Sequence, residues 1–340
     1  MSTLPTNRQW ILKSRPSGPV TEDCFEWRES EARAPEEGEA LVRNLMLSFD
    51  PTQRGWMTED TYVPKVPLGE VMRAGSIGQV VESRKDGFAA GDLVQGAFGW
   101  QDYTTTDGAG FMPMSKLHPG TPPNLAMGVL GITGLTAYFG TLEIGLPKAG
   151  EVFVVSGAAG ATGSVAGMIA KIKGCRVIGI AGGEEKCKWI KSEGGFDVAS
   201  DYKNEDVGSR LRELCPDGID IYFDNVGGEI LNQALARIAP HARIILCGAI
   251  SGYESAELPP GPANYFNMVL KHGRMEGFLV LDYLSRFGEG IAQLAEWYGE
   301  GRLKQLEDIQ EGLENAPSTF MRLFSGANMG KQLLQIADPA

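Results

Sequence analysis

The rhythm of hydrophobic and polar positions changes near residue 125. Before it, short apolar or alternating runs are punctuated by Gly and Pro, as in Ala40 to Leu47, Ser76 to Ser83 and Leu93 to Phe98, the last introduced by the turn Ala90-Gly91-Asp92. This pattern predicts a mostly β domain over residues 1–125. From Met127 the apolar stretches lengthen, and Ala126 to Leu142 predicts a helix that carries several glycines. Strands and helices then alternate: Val152 to Ser156, Ser164 to Ile172, Arg176 to Ala181, Glu184 to Glu193, Ile219 to Asp224, Glu229 to Ile238 and Arg243 to Cys247. Runs such as Val152-Phe153-Val154-Val155 are apolar on both faces, as a parallel sheet covered by helices requires. The alternation predicts an α/β, doubly wound, Rossmann-type domain over residues 126–308. Met275 to Leu281 reads as a further strand and Ser285 to Trp297 as a helix; residues 309–340 carry a helix, Ala316 to Phe324, and a strand, Lys331 to Ile336.

Composition narrows the class. The 340 residues suffice for two domains, and 43% hydrophobic with 22% charged residues is ordinary for a folded, water-soluble protein. Lys and Arg number 31 against 43 Asp and Glu, a net charge of −12, which disfavours nucleic-acid and anionic-membrane partners. The five cysteines, Cys24, Cys175, Cys187, Cys215 and Cys247, are scattered singly and read as reduced thiols. The first residues lack the apolar core of a signal peptide and no apolar run reaches spanning length, so the expectation is a cytoplasmic protein.

The strongest chemical signal is Gly157-x-x-Gly160-x-x-Gly163, directly after a buried strand and at the opening of a helix. Glycines there permit a tight turn and close approach of a pyrophosphate, and the amides at the helix start, around Ala161 and Thr162, supply hydrogen bonds to the anion. An NAD-binding domain ends its second strand with an acid for the ribose 2′-hydroxyl. Here that strand ends Gly179-Ile180-Ala181-Gly182-Gly183, and Lys186 follows on the next helix, either facing a 2′-phosphate or solvated at the surface. NADP(H) is therefore the expected cofactor. Asn225, in Asp224-Asn225-Val226-Gly227-Gly228, falls at the carboxyl edge of the sheet, where it bonds a ribose or fixes a loop.

No metal is expected. The histidines are His118, His241 and His272, and none has a His or Cys at ligand spacing. A carbonyl must then be polarised by hydroxyls, ribose, backbone amides or water. Tyr253, beyond the strand ending at Cys247, is the candidate donor, or else an aromatic that packs over the cofactor. Tyr62 and Tyr265 are further aromatic candidates in loops.

Several blocks together resemble one family. They are Leu47-Ser48-Phe49-Asp50-Pro51-Thr52-Gln53-Arg54-Gly55-Trp56-Met57, Gly69-Glu70-Val71-Met72, Leu130-Gly131-Ile132-Thr133-Gly134-Leu135-Thr136-Ala137-Tyr138-Phe139, the glycine turn, Phe223-Asp224-Asn225-Val226-Gly227-Gly228-Glu229, Met275-Glu276-Gly277-Phe278 and Gly326-Ala327-Asn328-Met329-Gly330-Lys331. In this order they resemble the zinc-free prostaglandin/leukotriene and curcumin reductases of the medium-chain dehydrogenase/reductase superfamily. The resemblance implies a GroES-like first domain, a Rossmann domain for NADPH, a C-terminal return to the first domain, and a homodimer. It implies reduction of the carbon–carbon double bond of α,β-unsaturated ketones and aldehydes, with NADPH:quinone reduction as the alternative. It places 2′-phosphate contacts on Lys186 and Tyr202, nicotinamide and ribose contacts near Asn225, Phe278, Val280 and Asn328, and the pocket tyrosine on Tyr253. Several members have Tyr where this chain has Thr52, which puts flat aromatic enones such as curcumin in doubt.

Overall fold

The computed structural model describes residues 4–257 and 259–339. Strands β1 (Thr6–Leu12) and β2 (Phe25–Glu31) pair antiparallel with Trp10 opposite Trp27. Five more strands follow: β3 (Ala40–Phe49), β4 (Ser76–Ser83), β5 (Leu93–Gly96), β6 (Tyr103–Thr106) and β7 (Ser115–Lys116). β3 is buried along nearly its whole length because it pairs with both β4 and β6. Its one deeply buried amide, Asn44, donates to Gln101 O at 2.7 Å. A short helix, α1 (Gln53–Trp56), follows β3.

The expected helix over Ala126 to Leu142 is instead three pieces: α2 (Pro123–Met127), α3 (Ile132–Phe139) and a π-helical turn over Gly140–Gly145. The break has a steric origin. Val129 O lies where a Cβ on Gly134 would stand, 1.8 Å away, so the chain must fold back between residues 128 and 134.

Beyond it run six parallel strands: β8 (Val152–Ser156), β9 (Arg176–Ala181), β10 (Val198–Asp201), β11 (Ile219–Asp224), β12 (Ile238–Leu246) and β13 (Arg274–Gly277). Their order, β10-β9-β8-β11-β12-β13, is the doubly wound order of a Rossmann sheet. The covering helices include α4 (Ala161–Ile172), α5 (Glu184–Ser192), α6 (Val207–Leu214) and α7 (Gly228–Leu235). β10 and α6 had no counterpart in the sequence reading; α6 is capped by Asp206, which accepts from Ser209 N–H at 2.7 Å. β12 starts five residues earlier than expected, across a register shift with His241 at φ 62°. The predicted strand Met275 to Leu281 stops at Gly277, because Asp282 bonds back to Leu279 N–H and starts a 3-10 turn over Val280–Arg286. Helices α8 (Asn267–Leu270) and α9 (Phe287–Gly299) complete this part.

The late chain contributes β14 (Glu307–Glu311), α10 (Ala316–Ser325) and β15 (Lys331–Gln335). The second sheet runs β14-β15-β3-β4-β5-β7, with Leu333 opposite Ser48. Two compact units result. The first holds residues 1–127, 308–328 and 332–340, with a core that includes Leu47, Phe49, Trp100, Phe320 and Leu334. The second holds residues 128–307 and 329–331, with Val154, Ile178, Leu211, Tyr222 and Ile244 at its centre. The fold is thus a mostly β unit and a Rossmann-type unit.

Candidate functional site

In a Rossmann sheet ligands gather where strand order reverses, here between the carboxyl ends of β8 and β11. The glycine turn stands there. Gly157 has φ 60°, Gly160 N–H closes onto Gly157 O at 2.9 Å, and α4 begins at Ala161, three residues earlier than the sequence suggested. A Cβ on Gly163 would fall 2.3 Å from Gly157 O, so this position admits only glycine if the first turn is to pack against the loop. Ala161 and Thr162 remain partly exposed at the helix start. The cradle fits a pyrophosphate, whose oxygens the free amides of a first helical turn can bond. Gly330 adds to it: its N–H donates to Ala159 O at 3.0 Å. Only the run Gly326-Ala327-Asn328-Met329-Gly330-Lys331 hinted at this contact in the sequence.

Behind the turn lies a hub that sequence reading missed. Asp224, 1% exposed, accepts at one carboxylate oxygen from Ser156 Oγ (2.9 Å), Tyr222 OH (3.1 Å), Val226 N–H (3.1 Å) and Gly227 N–H (3.0 Å). Burial pushes the Tyr222 hydroxyl well above its ordinary value, so it stays a donor. Asn225 donates through Nδ2 to Ser156 O at 2.7 Å and through its backbone N–H to Ser156 Oγ at 2.9 Å. These two bonds fix the loop. Ser156, the last residue of β8, ties the start of the glycine turn to the end of β11.

At the tip of β9 the Tyr202 ring lies against Gly182, where a Cβ would be 2.7 Å from its hydroxyl. Lys186 is the third residue of α5 and half-buried. An acid does stand nearby, from the neighbouring strand: Asp201 accepts from Gly183 N–H (2.8 Å), Lys203 N–H (3.0 Å) and Asn204 Nδ2 (2.8 Å). Partial desolvation raises its carboxyl, but these donors outweigh that and hold it below the ordinary range. Its acceptor capacity goes to the loop.

Tyr253 follows a 3-10 turn, and its hydroxyl accepts from Ala249 N–H at 3.2 Å. It borders a cavity of about 400 Å³ with Asp224, Gly227, Cys247, Gly248 and Pro259. Burial and then Asp224 push the Cys247 thiol up to about 12, which excludes a thiolate there. Phe278 reaches Gly140, whose Cβ position lies 2.7 Å from the ring, and Val280 opens the 3-10 turn behind it. Asn328 falls in the turn after α10, within the first unit. Tyr265, 65% exposed before α8, does not border the cavity. In the first unit Thr52 Oγ1 and Tyr62 OH share a hydrogen bond of 2.9 Å, and burial raises the Tyr62 hydroxyl above its ordinary value. Among the described residues no group of three or more His, Cys, Asp and Glu side chains could hold a metal ion.

Residues 8–114 match the family described as N-terminal domain of oxidoreductase, and residues 161–296 the family described as zinc-binding dehydrogenase. The NADPH-dependent curcumin reductase of Escherichia coli (strain K12) is 42% identical over 337 residues, covering 97% of each chain. The chain belongs to the medium-chain dehydrogenase/reductase superfamily, in the family of the curcumin and prostaglandin reductases. Prostaglandin reductase 1 of Rattus norvegicus is 39% identical, over 96% of this chain and 98% of that one. The crystal structure of CurA from Vibrio vulnificus in complex with NADPH superposes with a TM-score of 0.92 at 42% identity, covering 98% of this chain and all of that one. The family's parts are thus present from end to end, and no helix is long and apolar enough to cross a membrane among the described residues.

Proposed function

We propose that this protein is an NADPH-dependent reductase of the carbon–carbon double bond of α,β-unsaturated ketones and aldehydes. The glycine cradle at the β8–β11 switch point carries the reading, and the reductases it resembles, named for NADPH and for curcumin or prostaglandin, support it. When bound, the cofactor supplies the hydride that adds to the β-carbon. The residues of this chain do the rest. Amides of the turn from Gly157 to Gly163 hold the pyrophosphate, Lys186 and Tyr202 take the 2′-phosphate, and Asn225, Phe278, Val280 and Asn328 seat the ribose and nicotinamide. Thr52, Tyr62 and Tyr265 bind the acceptor. Tyr253 holds the oxygen on which charge develops; accepting from Ala249 N–H polarises its hydroxyl as a donor.

The test is incubation with NADPH or NADH and a panel of enones, enals and quinones, with product analysis. Saturated ketones and aldehydes formed from NADPH are the expected result. Reduction of quinones alone would instead favour a quinone reductase, and NADPH binding without turnover would favour a non-catalytic nucleotide-binding protein.

The same reading includes a homodimer in the cytoplasm. β13 is the outer strand of its sheet, and Phe266, Val269 and Leu270, just before it in the chain, are each about 60% exposed, apolar groups suited to a second copy. All five cysteines are free, which suits a reducing compartment. Light scattering at micromolar concentration should give twice the chain mass.

A further inference from the structure

Arg73 stands in unusual surroundings for a cation in this acid-rich chain. Its guanidinium carbon lies 5.7 Å from the Trp56 ring centre and 5.4 Å from that of Phe111. The two rings meet at 72° with centroids 5.4 Å apart and so form a corner beside the half-buried guanidinium. Nη1 donates to Pro64 O at 2.8 Å. No carboxylate of the described residues lies within ion-pair distance, and burial pulls the guanidinium below its ordinary value. By contrast, the other arginines of the described residues that lie over aromatic rings, Arg8 over Trp27 and Arg286 over Phe139, each hold a carboxylate within 3 Å.

The corner adjoins residues already assigned to the acceptor. Trp56 meets the Tyr62 ring edge-on with centroids 6.4 Å apart, and Tyr62 is hydrogen-bonded to Thr52. A guanidinium braced on aromatic faces keeps its orientation without an anionic partner, and its remaining N–H groups form a planar fork matched to a carboxylate. Partial burial strengthens that attraction relative to open water.

We propose that Arg73 is a specificity-determining residue that seats an anionic tail. The enzyme then favours unsaturated ketones and aldehydes that carry a carboxylate away from the double bond. This rests on the reading of Thr52 and Tyr62 as acceptor-binding residues.

A matched pair tests it: an enone with a terminal carboxylate and its methyl ester, assayed with the wild type, Arg73→Met and Arg73→Lys. Wild type should prefer the acid by about tenfold in kcat/KM, mainly through KM, the gain of one charge-assisted contact at a partly exposed site. Arg73→Met should bring the acid-to-ester ratio to about one, and Arg73→Lys should recover part of it. Calorimetric binding of the two saturated products reads the same preference without turnover, and it should weaken as salt rises. An unchanged ratio in Arg73→Met, whether or not both substrates slow together, overturns the proposal, as does equal binding of acid and ester to the wild type. Selective acid binding through Arg73 without reduction of either compound would remove the proposed reaction and leave the carboxylate seat. Equal reduction of both would do the reverse.

Discussion

Asp224 shows how much of a site one side chain can organise. Four neutral donors converge on a single buried oxygen. Truncation in Asp224→Ala leaves a tyrosine hydroxyl and two peptide N–H groups buried without acceptors. At about 1–3 kcal/mol per orphaned group, urea unfolding should show a loss of at least 3 kcal/mol. Tyr222→Phe removes one donor cleanly and should cost only about 1 kcal/mol by the same measurement. Gly163→Ala belongs at this scale too. Its methyl meets Gly157 O at 2.3 Å, so the turn must open by at least about 0.7 Å, and NADPH affinity in a fluorescence titration should fall at least about tenfold. The glycines were legible in the sequence because their spacing is local. The hub was not, because Ser156 and Asp224 stand 68 positions apart and meet only when β8 and β11 become neighbours.

Among elements, strands that are apolar on both faces were read to the residue: β8, β9 and β11 have the bounds that the pattern predicts. Errors collected where backbone contacts from elsewhere override periodicity. Gly134 against Val129 broke a helix, and Asp282 shortened a strand. The π turn after α3 buries the Thr141 hydroxyl with no partner among the described residues. Thr141→Val keeps the shape and removes that unsatisfied group, so the thermal midpoint should rise, by an increment worth about 1 kcal/mol. Glu151, just before β8, accepts from both terminal nitrogens of Arg243 on β12, at 3.0 and 2.6 Å. Partial burial raises the Glu151 carboxyl, but Arg243 and the Lys148 N–H outweigh it and leave it below its ordinary value. The pair's stabilisation is therefore fully present above the ordinary carboxylate range of about pH 4–5 and is lost as pH falls through the depressed value. Arg243→Gln should be less stable than wild type at pH 7, and the gap between their urea midpoints should close toward pH 3.

At the scale of the whole molecule, β15 decides the integrity of the first unit. Leu333 and Leu334 are fully buried, and their strand occupies the place between β14 and β3. Removing residues 331–340 forfeits two core leucines, each worth about 2–5 kcal/mol, and uncovers an edge of β3. The near-ultraviolet circular dichroism of the Trp100 environment should collapse in that truncation, while the parallel sheet keeps its far-ultraviolet signal.

The position of β15 also sets a schedule for synthesis. A ribosome releases residues 1–127 first, yet β3 waits for residues 332–335, made only after the whole stretch 128–307. At about 5–20 residues per second that wait lasts roughly 10–40 s, with Leu47 and Phe49 lacking the Leu334 and Phe320 that later cover them. The parallel sheet draws its strands from one continuous stretch and can close in the meantime. The nascent first unit is thus the part of this protein that a chaperone has most reason to hold.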